Sequence, residues 1–133
     1  MSLVLYYAPG SSSFAPHIAL NEIGCAFELR RISLSKTAPR DPAYLALNPE
    51  GKVPTLVIDG EPLTEVAAIL FWLAKTFPEA KLLPSGIEAE ARAISWMSFV
   101  ASTLHPARRR GEAHARAMFA IAETKLEIGR AHV

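Results

Sequence analysis

The stretch NPEGKVPTLVIDGEPLTEVAAI, from Asn48 to Ile69, decides the fold of this chain. It reads in order as a turn, an X-Pro bond at Val53-Pro54 and a strand over Thr55-Leu56-Val57-Ile58. A two-residue hairpin at Asp59-Gly60, a short return strand over Pro62-Leu63-Thr64 and a helix opening at Glu65 follow. Asp-Gly is a strong hairpin signal because the favoured two-residue turn needs positive φ at its central positions. Pro62 assigns the return strand to a sheet edge, where an N–H can be dispensed with. From Glu65 the apolar residues Val66, Ile69, Leu70, Leu73, Ala74 and Phe77 keep helical spacing, and Pro78 stops the run. These parts suit a small peptide-like ligand. A strand entered through Val53-Pro54 offers backbone hydrogen bonds to an extended chain. The opening turn of the helix offers free N–H groups and a positive dipole end to a carboxylate, and Glu65 can take an ammonium.

Towards the N-terminus, Leu3-Val4-Leu5-Tyr6-Tyr7 is an apolar run of strand formers closed by Pro9-Gly10. Ser11-Ser12-Ser13 offers N-cap candidates, Ser13 first among them, for a helix over Phe14–Ile23. Pro16 is tolerated in its first turn and Gly24 is a good stop. Phe27–Ile32 reads as a second strand. Strand, helix and strand at this spacing form a right-handed unit with parallel strands. A polar stretch over 33–40 leads to a short helix over Pro42–Leu47. Residues 1–78 therefore give βαβ-α-ββα, an α/β domain with a mixed four-stranded sheet and helices on both faces, the thioredoxin-like arrangement.

Residues 79–86 read as a linker, and an all-α region begins at Ile87. Its first helix, apolar nearly all round, is expected to need partners on two sides and to be ended or bent by Pro106. A second is expected over Glu112–Leu126. Two helices do not enclose a core, and IleGlyArgAlaHisVal (128–133) has no periodicity. The expectation is an incomplete helical domain over 87–133, C-terminally truncated, whose last six residues are not native.

Half of the 133 residues are apolar, 20% are charged and the net charge is +1. The balance gives no reason to expect nucleic acid, and Arg108-Arg109-Arg110 reads as a solvated cluster. No run is long enough to span a bilayer, and MSLVLYY enters a strand pattern without a signal-peptide n-region. A single cysteine, Cys25, leaves no internal disulfide and no redox pair, and reads as a small buried hydrophobe. A cytoplasmic setting is the expectation. The four histidines are scattered, so no metal site is expected.

Three stretches resemble the glutathione S-transferases, most nearly the bacterial beta class: LYYAPGSSSFAPHIALNEIG (5–24), NPEGKVPTLVIDGEPLTEVAAILFWLA (48–74) and WMSFVASTLHP (96–106). The resemblance implies glutathione as co-substrate. Val53 would pair its backbone with the cysteinyl part, after which Pro54 would be cis. Glu65 and the amide of Val66 would hold the γ-glutamyl end, and Lys52 would approach the glycyl carboxylate. Tyr7, Ser11 and Ser12 would lie near the sulfur, and His105 would reach it from the helical domain. The family also implies a small electrophile as second substrate and a homodimer at full length. Two departures stand out. Ser12 takes the position where the beta class usually has cysteine, whereas delta- and theta-like classes use a serine directly after Pro-Gly, here Ser11, so either register is open. Val66 stands where Ser, Thr or Gly is frequent.

The chemistry asked of such a serine is modest. A free thiol has a pKa of ~8.5. A hydrogen bond to a charged group contributes about 1.5–3 kcal/mol and a helix N-terminus roughly 0.3–1 kcal/mol. At about 1.36 kcal/mol per pKa unit, the two lower a thiol by roughly one to three units. Serine cannot form a mixed disulfide, which shifts the reading from thiol exchange to conjugation. Two other readings stand beside it: a non-catalytic glutathione-fold interaction module, and a zeta-type isomerase, which also has serines here but for which an arginine would be expected after the loop.

Overall fold

The computed structural model describes residues 1–131. It divides into two compact units, 1–90 and 91–133. The first unit is built on four strands in the order β2-β1-β3-β4: β1 (Leu3–Tyr7), β2 (Glu28–Arg31), β3 (Thr55–Ile58) and β4 (Glu61–Thr64). β2 is parallel to β1, and β3 is antiparallel to both β1 and β4. The sheet is therefore mixed. The thioredoxin-like order of elements expected from the sequence is the one observed.

Local chemistry explains the boundaries. α1 (Phe14–Ile23) ends at Gly24, whose φ of 74° lets its N–H return to the Asn21 and Leu20 carbonyls. α2 (Pro42–Leu47) starts after Asp41, whose carboxylate accepts from the Ala43 N–H. The β3–β4 turn has positive φ at both Asp59 (48°) and Gly60 (90°), as the sequence pair requires. α3 (Val66–Thr76) closes before Pro78.

Alternation sorts the sheet faces. Leu3 and Leu5 of β1 join Leu56 of β3, Ala19 and Leu20 of α1, and Ile69 and Leu73 of α3 in one buried cluster. The opposite face carries Tyr6, whose ring lies 5.0 Å from that of Tyr44 in α2. β2 is shorter than expected and exposed along its length, because it is an edge strand with a partner on one side only.

α4 (Ile87–Phe99) gives way as the chain nears Pro106, which was expected to end or bend it. The chain widens into a π-helical turn over Val100–Leu104, closed by the His105 N–H on the Val100 carbonyl, and then tightens to a 3-10 segment over His105–Arg110. The cause is Pro106, which has no N–H to continue the ladder and crowds the preceding turn. α5 runs over Glu112–Ala131, beyond the expected end at Leu126. Residues 128–131 are helical, and 132–133 lie outside the described residues. In the second unit the Lys125 ammonium lies 5.6 Å from the Trp96 ring and 5.3 Å from the Phe99 ring, tying α5 to α4.

Candidate functional site

Strand direction brings three loops to one end of the sheet. Tyr6 of β1 pairs with Thr55 of β3, and Thr55 pairs with Thr64 of β4. The exit of β1, the entry of β3 and the exit of β4 therefore share an edge. That edge gathers Tyr7 and Ser11–Ser13, Lys52-Val53-Pro54, and Glu65-Val66. His105 belongs to the second unit, where it is exposed at the start of the 3-10 segment.

At the β1 exit, Tyr7 is half-buried against the core, with its ring 6.0 Å from that of His17. The three serines that follow are not equivalent. The Ser11 hydroxyl donates to the Ala8 carbonyl (2.7 Å) and accepts from the Ser13 N–H (3.2 Å). The Ser11 and Ser13 hydroxyl oxygens are 2.6 Å apart. Ser13 is 1% exposed, and its oxygen accepts from the Ala8 N–H at 3.1 Å. Ser12 is half-buried, and among the described residues neither its hydroxyl nor its N–H has a hydrogen-bond partner. The expected side-chain cap by Ser13 is absent. Ser13 occupies the N-cap position in helical backbone geometry (φ −62°, ψ −13°) and makes no cap bond. A capping side chain acts from extended geometry, so this hydroxyl turns back to the strand end instead.

At the β3 entry the Val53-Pro54 peptide is cis. Pro54 is buried and Val53 half-buried. The ladder with β4 begins at Thr55, and among the described residues the Val53 N–H and carbonyl have no partner. The preceding turn is held from inside. Asn48, 4% exposed, donates from its amide to the Lys52 carbonyl (2.9 Å) and to the Thr55 hydroxyl (3.3 Å), and its Oδ1 accepts from the Glu50 N–H (3.1 Å). The Tyr44 hydroxyl donates to the same Lys52 carbonyl and lies 2.9 Å from the Thr55 hydroxyl. Arg40 Nε donates to the Gly51 carbonyl at 2.9 Å. Burial pushes the Tyr44 phenol above its usual pKa, with the Thr55 and Asn48 hydrogen bonds acting against that rise. The Lys52 side chain points to solvent beside Glu50, with its ammonium 3.3 Å from the carboxylate.

At the β4 exit, Glu65 adopts φ 72° and ψ 123°, a left-handed φ that a side chain disfavours. Its carboxylate makes no cap bond. Val66 opens α3 half-buried, and the first intrahelical bond runs from the Ile69 N–H to the Glu65 carbonyl. The N–H groups of the opening turn are thus available to an anion.

Sequence reasoning missed Tyr44, Thr55 and Arg40 as parts of this edge. Asn48 carried a signal, because Asn-Pro before Gly marks a side-chain-stabilised turn. The others act across the turn and leave no local mark. Among the described residues no cluster of His, Cys, Asp and Glu could hold a metal. The second unit has a separate concavity of about 310 Å³, lined by Ser102, Arg110, His114 and Met118 among others.

A family model described as "Glutathione S-transferase, N-terminal domain" matches residues 1–75, which hold all four strands, α1, α2 and all but the last residue of α3. The chain belongs to the glutathione S-transferase family. Glutathione S-transferase GstA of Escherichia coli O157:H7 is 39% identical over 104 residues, covering 76% of this chain and 52% of that protein. Maleylacetoacetate isomerase of Rhizobium meliloti is 41% identical over 104 residues, covering 77% and 49%. Among solved structures, a beta-class glutathione S-transferase of Sphingomonas chungbukensis superposes with a TM-score of 0.74 at 35% identity, covering 95% of this chain and 69% of that one. A glutathione transferase homologue from Sulfitobacter, solved with bound glutathione, gives 0.74 at 33% identity, covering 90% and 62%. The chain spans about half the length of the curated relatives it matches.

Proposed function

We propose that this chain is the glutathione-binding portion of a glutathione transferase, in which Ser12 stabilises the bound thiolate. The observation that carries the reading is the shared sheet edge, where three sets of unpartnered backbone or side-chain groups meet. In this reading Val53 pairs its free N–H and carbonyl with the cysteinyl backbone. Glu65 takes the γ-glutamyl ammonium, and the Val66 N–H with its neighbours takes the γ-glutamyl carboxylate. Lys52 is within the same loop for the glycyl carboxylate. The sulfur then falls to the β1 exit beside Tyr7, where Ser12 has both a hydroxyl and an N–H to offer. Ser11 is the weaker candidate because its proton is already directed at the Ala8 carbonyl. His105 is proposed to approach from the helical domain.

In the proposed conjugation the thiol proton leaves to solvent. The thiolate attacks the carbon bearing the leaving group, a C–S bond forms, and the leaving group departs with its electron pair. No metal is invoked. The whole protein is proposed to be a longer, cytoplasmic homodimer. Its glutathione domain covers 1–78, a linker 79–86, and 87–133 begins a helical domain that supplies the electrophile pocket.

The test has two parts. The chain should be retained on immobilised glutathione and released by free glutathione. A folded chain that is not retained would favour the non-catalytic interaction module. Conjugation of chlorodinitrobenzene should fall about tenfold to a hundredfold in Ser12→Ala, the value of one hydrogen bond to an anion, and much less in Ser11→Ala. Equal loss in both would remove the Ser12 assignment.

A second reading is favoured by the isomerase relatives: a glutathione-dependent isomerase acting through reversible addition of the same thiolate. Stoichiometry separates the two. Conjugation consumes one glutathione per product, and isomerisation consumes none.

A further inference from the structure

Three hydroxyls in succession stand at the exit of β1, and only the middle one is unengaged. Two hydroxyl protons serve three hydroxyl contacts, Ser11 to Ala8, Ser13 to Ala8 and Ser11 to Ser13, so one contact goes without a proton and distance selects which. The Ser11 hydroxyl gives its proton to the Ala8 carbonyl, the shorter of that carbonyl's two hydroxyl contacts (2.7 Å against 3.2 Å). The Ser13 hydroxyl then gives its proton to the Ser11 oxygen at 2.6 Å. The Ser13 oxygen accepts the Ala8 N–H at 3.1 Å, and the Ser11 oxygen accepts the Ser13 N–H at 3.2 Å. The circuit closes on both polar groups of the Ala8 backbone, and Ser13 within it is 1% exposed. Ser12 is the residue between its two side-chain members and belongs to none of its bonds.

Such a circuit has two effects. It fixes the backbone on each side of Ser12, so the Ser12 N–H and Cβ are held in place, and its hydroxyl has no internal partner. It also removes Ser11 as a competing acceptor for the Ser12 proton, because both of its lone pairs already receive Ser13 donors, while the Ser13 oxygen is 1% exposed and accepts the Ala8 N–H. A donor without a local acceptor is left to an incoming anion. We propose that Ser11 and Ser13 are positioning residues for thiolate stabilisation, acting through Ser12 rather than touching the sulfur. This rests on the glutathione reading above. It gives the serine triplet a division of labour: the outer two pin the strand end and the middle one meets the ligand.

The experiment follows the ionisation of the glutathione thiol bound to this chain, by thiolate ultraviolet absorbance against pH. Affinity for S-methylglutathione, which has no ionisable thiol, is measured alongside. Ser13→Ala is expected to lower the bound thiolate fraction near neutral pH about threefold to tenfold, one ordinary hydrogen bond's worth of positioning. Its affinity for S-methylglutathione should change by less than about twofold, a few tenths of a kcal/mol. Ser11→Ala, at a half-exposed residue, breaks the same circuit without opening a buried position, and should do the same if Ser13→Ala fails to fold. The Ser11→Ala/Ser13→Ala double variant should match the larger single effect rather than the sum, as members of one network do. In a Ser12→Ala background the effect of Ser13→Ala should shrink. A Ser13→Ala effect undiminished by Ser12→Ala would overturn the positioning role, and so would a loss of S-methylglutathione affinity equal to the loss of thiolate. A chain that binds neither ligand would overturn the glutathione reading itself. A chain that binds both, with thiol ionisation indifferent to Ser11 and Ser13, would overturn this inference alone.

Discussion

Glu65 holds a conformation that its own side chain disfavours. A non-glycine residue at φ 72° and ψ 123° costs on the order of 1–3 kcal/mol, and such residues persist where the surroundings impose them. Here β4 fixes one side through Thr64 and α3 fixes the other through the Ile69 N–H. The result is an exposed carboxylate beside the free N–H groups of α3, a pairing suited to the two charges of an amino-acid end. Glu65→Gln keeps shape and backbone and removes the charge. We predict about a tenfold loss of glutathione affinity, the value of one charge-assisted bond, with a urea midpoint indistinguishable from the parent. Equal affinity by titration calorimetry would remove the ammonium role. At this scale the sequence was partly legible. Thr-Glu opening a helix marked the residue, while its backbone strain did not show. The serine triplet was legible as a loop and not as a register, because three identical hydroxyls differ only in which acceptors the fold brings near them.

Among the elements, the turn from Asn48 to Pro54 depends most on α2. Six residues of helix would be marginal alone. Asp41 caps its start, and Tyr44 sends its hydroxyl across the turn to the Lys52 carbonyl. Tyr44→Phe removes that bond and leaves the Thr55 hydroxyl with one partner fewer, which we expect to cost about 1–3 kcal/mol in urea unfolding. The pH dependence has a definite sign. Burial holds the Tyr44 pKa above its ordinary value, so the native state keeps a proton that the unfolded chain releases near pH ~10. The stability from Tyr44 is fully present below that pH and is lost as pH rises through the folded value. Unfolding midpoints from pH ~8 to ~11 should therefore fall less steeply in Tyr44→Phe than in the parent. Parallel slopes would mean that Tyr44 does not titrate differently in the two states. The Asn-Pro-x-Gly turn was evident in the sequence. Its buried partner was not, since Tyr44 lies in another element and reads locally as one more helix residue.

Across the whole molecule, burial is uneven. The apolar cluster of Leu3, Leu5, Leu20, Leu56, Ile69 and Leu73 lies in the first unit. In the second unit the buried apolar residues, among those described, are Ala107 and Ala122. Phe119, Ile121, Leu126 and Ile128 of α5 are exposed. Opening free energy follows local burial, so amide hydrogen exchange should be slowest in β1, β3, α1 and α3. Exchange in α5 should be faster by orders of magnitude, and α5 amides as protected as those of β3 would contradict this. The sequence by itself determined the order of elements in the first unit, the Asp59-Gly60 turn, the Gly24 and Pro78 stops and the family, because those depend on backbone preferences and spacing carried by neighbouring residues. Tertiary structure alone decided which serine is free and what Tyr44 holds. Each of these turns on which groups meet across the chain, and hydrogen-bond partners distant in sequence are chosen by packing rather than by local propensity.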